Sequence, residues 1–116
     1  MSENLSLHVE NLCELIKQLQ YEEALERFYD SNVITYENEN PPTVGLEAYT
    51  AAGKQFLSSI TNYKANLLNV IVSNNMSVCE WRYSFDHSQW GHWDRVQLSV
   101  QKWKDGKIIF ERHYYS

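Results

Sequence analysis

Glu111 and His113 stand two residues apart in Lys107-Ile108-Ile109-Phe110-Glu111-Arg112-His113-Tyr114-Tyr115, a run whose β-branched and aromatic composition reads as a strand. Side chains alternate across a strand, so a carboxylate and an imidazole at this spacing leave the same face. Turned into a concave site, the carboxylate would orient and tune the imidazole as a general base. Turned outward, the pair would be ordinary solvated residues, as antiparallel sheets routinely carry. The opposite phase, with Arg112 inward beside Phe110 and Tyr114, also fits the spacing.

A second stripe runs through Cys79, Trp81, Tyr83, Phe85 and His87, which share one face of a strand over residues 76–90. Core packing is the commoner use of such a stripe, and Trp81 and Phe85 suit it. Tyr83 and His87 lie farther along, toward a pocket mouth, and Trp81, Tyr83 and His87 are candidates for ligand contact. Tyr36, Tyr49 and Tyr115 are further candidates, because a buried tyrosine needs a partner for its hydroxyl. That partner is a ligand or a backbone carbonyl. His87 and His92, with Asp86 and Asp94, match no metal-ligand spacing, so no metal is expected. Trp90 and Trp93 flank a turn at Gly91 and suit either a lid or a dimer contact. There is no glycine-rich phosphate loop, GxSxG elbow or HExxH. Cys13 and Cys79 sit among apolar neighbours and are not expected to act as nucleophiles.

These residues sit in a chain of 116 residues, the size of one domain with a real core. Aromatic residues make up 14% of it, which suits a cavity or an oligomer contact as well as a bulky core. The net charge of −5 argues against a nucleic-acid partner, whose phosphates demand basic surface. Two distant cysteines without a CxxC pattern read as buried thiols in a reducing compartment. No apolar run is long enough to span a membrane, and the acidic, polar amino terminus does not read as a signal peptide. A cytoplasmic protein is the expectation.

Leu5, Val9, Leu12, Ile16 and Leu19 recur at helical steps and predict a first helix, with Ser2 or Asn4 as its cap. A second helix is predicted over 21–29, with Ala24, Leu25 and Phe28 as its apolar positions and Asp30-Ser31-Asn32 as its stop. Val33-Ile34-Thr35-Tyr36 reads as a short strand, and residues 37–42 read as a loop with two prolines. Thr43 offers a cap for a third helix carrying Leu46, Tyr49, Gly53, Phe56 and Ile60, where Gly53 predicts a close packing contact. Strands follow over 63–73, 76–90 and 92–104, and Asp105-Gly106 is a strong hairpin turn before the last strand. Helices followed by a meander of strands predict an α+β fold, with helices packed on one face of an antiparallel sheet.

The amphipathic first helix, Arg27-Phe28-Tyr29 ending the second, the strand Val33–Glu37, Gly45-Leu46-Glu47-Ala48 opening the third helix, and Trp103-Lys104-Asp105-Gly106-Lys107-Ile108 together resemble the nuclear-transport-factor-2-like superfamily and its SnoaL-like group. The resemblance implies a cone in which three N-terminal helices pack on a curved, mostly antiparallel sheet around one deep pocket, a homodimer formed through the outer sheet face, and acid–base chemistry without a cofactor. Its enzymes include isomerases, cyclases, dehydratases and hydrolases. It places Glu37 where isomerase-like members keep a carboxylate base. Cyclase-like members often end the last strand with an aromatic followed by an acid, whereas Tyr115 is followed here by Ser116. The expected function is therefore binding of a small hydrophobic or aromatic molecule. Glu37, Glu111 and His113 are the candidate catalytic groups, and the alternative is a non-catalytic binder or dimeric accessory module.

Overall fold

The computed structural model describes residues 2–116. Three helices, α1 (Ser2–Lys17), α2 (Tyr21–Phe28) and α3 (Leu46–Ser58), pack against one six-stranded sheet. Its strands are β1 (Tyr29–Glu37), β2 (Thr43–Val44), β3 (Ile60–Ser73), β4 (Met76–His87), β5 (Gly91–Lys104) and β6 (Lys107–Tyr114). The sheet is curved and unclosed, an α+β cone with order β2-β1-β6-β5-β4-β3. All neighbours pair antiparallel except β1 and β6, which run parallel. The last strand is therefore interior to the sheet and not at an open edge. Among the described residues, no helix is long and apolar enough to cross a membrane.

Burial of apolar faces holds the helices in place. Leu5, Val9, Leu12 and Cys13 of α1 and Ala24, Leu25 and Phe28 of α2 meet Val33, Cys79, Trp81, Trp103 and Ile108 of the sheet in one core. Lys107 Nζ donates to the carbonyls of Arg27 at 2.8 Å and Glu26 at 3.4 Å, satisfying the open end of α2 from the start of β6. The hairpin before β6 has Asp105 at φ 51° and Gly106 at φ 79°, the positive pair a tight hairpin turn requires.

Several boundaries differ from the sequence-based expectation. Asn4 lies inside the first turn of α1 rather than at its cap, and the Ser2 side chain is outside the described part. The first helix ends at Lys17, and Leu19, at φ 60°, belongs to the turn that follows. Residues 30–32 do not separate helix from strand, because β1 starts at Tyr29 directly after α2. Thr43 does not cap the third helix; it pairs with Thr35 in β2, and Gly45 at φ 93° turns the chain into α3. Ile60 opens β3 instead of closing α3. Gly53 is not forced by packing, since a Cβ there would meet the Tyr21 ring at 3.6 Å, an ordinary contact.

A bulge in β6 decides what faces inward. Lys102 pairs with Phe110 and Trp103 with Ile108, leaving Ile109 as an extra residue. Such an insertion inverts the alternation beyond it. Ile108 is buried on the concave side, and the bulge turns Glu111 and His113, rather than Phe110 and Arg112, to that same side.

Candidate functional site

A cavity of about 580 Å³ opens between the helices and the concave face of the sheet. Its deep wall is polar. Strand β5 lines it with Gln97, Ser99 and Gln101, and β6 adds Glu111 and His113. Tyr29, at the head of β1, and Tyr49, on the first turns of α3, point their hydroxyls to the same spot. Its mouth is aromatic, with Phe56, Phe85, His87, Trp90 and Trp93, and carries Glu37, Arg95 and Tyr115 at the rim.

Glu111 is the centre of the deep wall. Tyr29 donates to its Oε2 at 2.6 Å and Gln101 Nε2 to the same oxygen at 2.7 Å. Tyr49 donates to Oε1 at 2.7 Å, and His113 Nε2 lies 3.3 Å from that oxygen. Burial alone pushes the carboxyl up. The charge of His113, together with hydrogen bonds from His113, Gln101 and Tyr29, outweighs it and brings the group down to about 2. Glu111 is thus a carboxylate with donors on both oxygens, and it has little capacity left to take a proton.

His113 is the other half of the pair. Its Nε2 also lies 3.0 Å from the Tyr49 hydroxyl, and its Nδ1 lies 2.8 Å from Ser99 Oγ and 3.2 Å from the Gln97 amide. Burial by itself lowers the imidazole, but the Glu111 carboxylate outweighs that and holds it above its ordinary value. The side chain of His113 is 13% exposed against 1% for Glu111, so the imidazole is the member of the pair that a molecule in the cavity can touch. Burial and the nearby Glu111 charge push the phenols of Tyr29 and Tyr49 well up, which keeps both as donors.

The rim is built differently. Trp90 stacks on His87 with ring centroids 3.7 Å apart, and two backbone N–H groups, of Gln89 and Trp90, donate to His87 Nδ1. Phe85 stacks on Trp93, which also meets the Trp90 and Tyr115 rings and the Arg95 guanidinium at 4.1 Å. Glu37 is exposed at the mouth, where the Tyr115 hydroxyl donates to it.

Of the candidate catalytic and ligand-contact residues read from the sequence, Glu37, Tyr49, Tyr83, His87, Glu111, His113 and Tyr115 line this one cavity. Two do not. Tyr36 lies on the outer face, 4.1 Å under the Arg112 guanidinium, because β1 alternates Thr35 inward and Tyr36 outward. Trp81 is 1% exposed and packs in the core below the cavity, stacked on Tyr83. His87 and His92 fall on opposite faces of their hairpin, and His92 Nδ1 is 2.8 Å from Asp86 on the outside. Tyr29, Gln97, Ser99 and Gln101 were missed. The alternation of β5 was legible, but nothing local marks Gln and Ser on a strand as facing inward. Tyr29 looks in sequence like the last residue of a helix.

No protein-family model matches the chain, and no curated protein matches it in sequence. Solved structures do match in three dimensions. A Mesorhizobium loti protein proposed to be a SnoaL-like polyketide cyclase superposes with a TM-score of 0.83 at 20% identity, over 96% of this chain and 98% of that one. An NTF2-like protein of unknown function from Cytophaga hutchinsonii matches at 0.70 and 12%, over 94% and 87% of the two chains. A Catenulispora acidiphila protein with a ketosteroid isomerase-like fold, in complex with trimethylamine, matches at 0.70 and 13%, over 80% and 73%. The chain has the NTF2-like, SnoaL-like α+β cone fold.

Proposed function

We propose that the cavity binds a small, largely apolar ring-shaped molecule and that His113 moves a proton on it without a cofactor, as in an isomerase, cyclase or hydrolase. The observation that carries this reading is the Glu111–His113 pair, with a fixed anion behind an imidazole that faces the cavity. A general acid–base group needs a charge state near its working range and a partner that holds its ring. Glu111 holds the ring and keeps the imidazole above its ordinary value, and Tyr49 and Ser99 fix the two nitrogens. The aromatic rim would hold a flat ring by stacking while its polar end meets His113. Glu37 stands at the mouth and takes a secondary role, at most meeting an entering ligand. Fold-level likeness supports the small-molecule reading only as analogy: one structural neighbour holds trimethylamine.

A second reading is binding without chemistry. Both nitrogens of His113 already have protein partners, so the polar wall is self-sufficient without a reacting substrate. In either case a homodimer would form on the outer sheet face, where Ile71, Val96, Leu98 and Tyr114 are exposed; light scattering of the purified chain tests it.

The two readings part on one experiment. Fluorescence of Trp90 and Trp93 is titrated with a panel of cyclic aromatic ketones and phenols. Those that bind are then incubated in D₂O, and exchange at carbon is followed by NMR. Acid–base chemistry gives protein-dependent exchange that falls by about 100-fold or more in His113→Gln with binding retained. Binding without exchange leaves the binder, and no binding by any compound ends both readings.

A further inference from the structure

Behind the cavity wall, a chain of hydrogen bonds leads away from Glu111 into the core. Trp103 Nε1 donates to Ser77 Oγ at 2.9 Å, Ser77 donates to Gln101 Oε1 at 2.6 Å, and Gln101 Nε2 donates to Glu111 at 2.7 Å. Trp103 and Ser77 are 3% and 1% exposed, and neither lines the cavity.

The direction of this chain follows from what each group can do. An indole N–H only donates, so Ser77 Oγ must accept from Trp103. The single proton of Ser77 then has Gln101 Oε1 as its acceptor, and the Cys79 thiol points at the same oxygen from 3.9 Å. With Oε1 committed on that side, the amide presents its NH₂ to Glu111. Reversing the amide would leave the proton of Ser77 without an acceptor. It would also set an amide oxygen against a carboxylate oxygen. Every proton finds an acceptor in only one orientation, and a buried unmatched group is costly enough to enforce it.

We infer that Ser77 and Trp103 are positioning residues of the site: they lock Gln101 so that it donates to Glu111, and through Glu111 they set the anion that faces His113. The functional weight of this inference rests on the acid–base reading above, but its physical content needs no ligand. A failed titration would leave the exchange result standing, and the reverse holds.

The test is NMR of the labelled chain, following Glu111 Cδ through an acid titration and the Gln101 side-chain N–H signals near neutral pH. In the parent chain Glu111 stays a carboxylate well below the ordinary carboxylate range. Ser77→Ala frees the amide to reverse. The proton affinity of Glu111 should rise roughly ten- to hundredfold, the worth of one hydrogen bond to a charge, and the Gln101 N–H signals should lose their protection from exchange. Ser77→Thr keeps the hydroxyl and should restore both. Trp103→Phe leaves the serine proton free to turn and should shift Glu111 in the same direction by less. An unmoved Glu111 titration in a folded Ser77→Ala chain overturns the inference, and so does failure of Ser77→Thr to restore it. If Ser77→Ala does not fold, Trp103→Phe decides: unchanged Gln101 protection overturns it.

Discussion

On its concave face β6 presents Glu111 and His113, and on its convex face Phe110, Arg112 and Tyr114. Each face carries ionisable and aromatic residues, yet they solve the problem of charge in opposite ways. Inside, every polar atom of the pair has a partner, drawn from Tyr29, Tyr49, Ser99 and Gln101 on three other elements. Outside, the Arg112 guanidinium lies over Tyr36 at 4.1 Å, with the rings of Phe110 and Tyr114 farther off, and its buried Nε has no hydrogen-bond partner among the described residues. The charges of the concave pair are matched group by group, whereas half-buried Arg112 rests on aromatic faces and keeps one nitrogen shut off from water and unmatched. Two residues of one strand thus differ in what their removal should cost.

The largest effect is expected at Glu111. Glu111→Ala strips the buried His113 ring and three donors of their carboxylate, and the chain should lose about 3–5 kcal/mol in urea unfolding. A loss below about 1 kcal/mol would mean that the pair is not buried as the geometry has it. Tyr49→Phe removes one donor to the carboxylate and should cost about 1.5–3 kcal/mol in the same assay, with the Glu111 titration moved upward.

The pair also sets a pH window. Glu111 is depressed from 4.5 to about 2, so its contribution is complete above pH 4.5 and is lost as pH falls toward 2. His113 is raised from 6.5, so its contribution is complete below pH 6.5 and is lost as pH rises through its folded value. Thermal unfolding should therefore show a plateau of highest Tm between about 4.5 and 6.5, with a decline on each side, and Glu111→Gln should flatten it. An unchanged profile in that variant would separate the pair from pH stability. The smallest effect is expected outside: Arg112→Leu gives up a cation–π contact but also removes a buried Nε that has no partner, so it should change stability by less than about 1 kcal/mol. A larger loss would make the two faces alike and remove the distinction.

The same contrast explains what could be read from the residues alone. Glu111 and His113 stood out because their spacing is a property of one strand. Their phase did not, because the bulge at Ile109 exists only where β6 is laid against β5. Simple alternation from buried Ile108 would have turned Arg112 inward and Glu111 out. Tyr49 was legible as a hydroxyl on an apolar helix, but its bond to a carboxylate 62 residues away was not. Tyr36 and Trp81 were singled out for chemical type, and neither reaches the cavity, because strand parity and depth in the core decide that.

By itself the sequence determined the periodic pieces: the apolar stripe of α1, the Asp105-Gly106 turn, the alternation of β4 and β5, and the order of helices before strands. Each depends on residues within a turn or two of one another. Tertiary structure alone decided that β6 runs parallel to β1 inside the sheet, and that four elements bring donors to a single carboxylate. The physical reason is that a buried charge is satisfied by groups far apart in the chain, and only the packed fold brings them within hydrogen-bond reach.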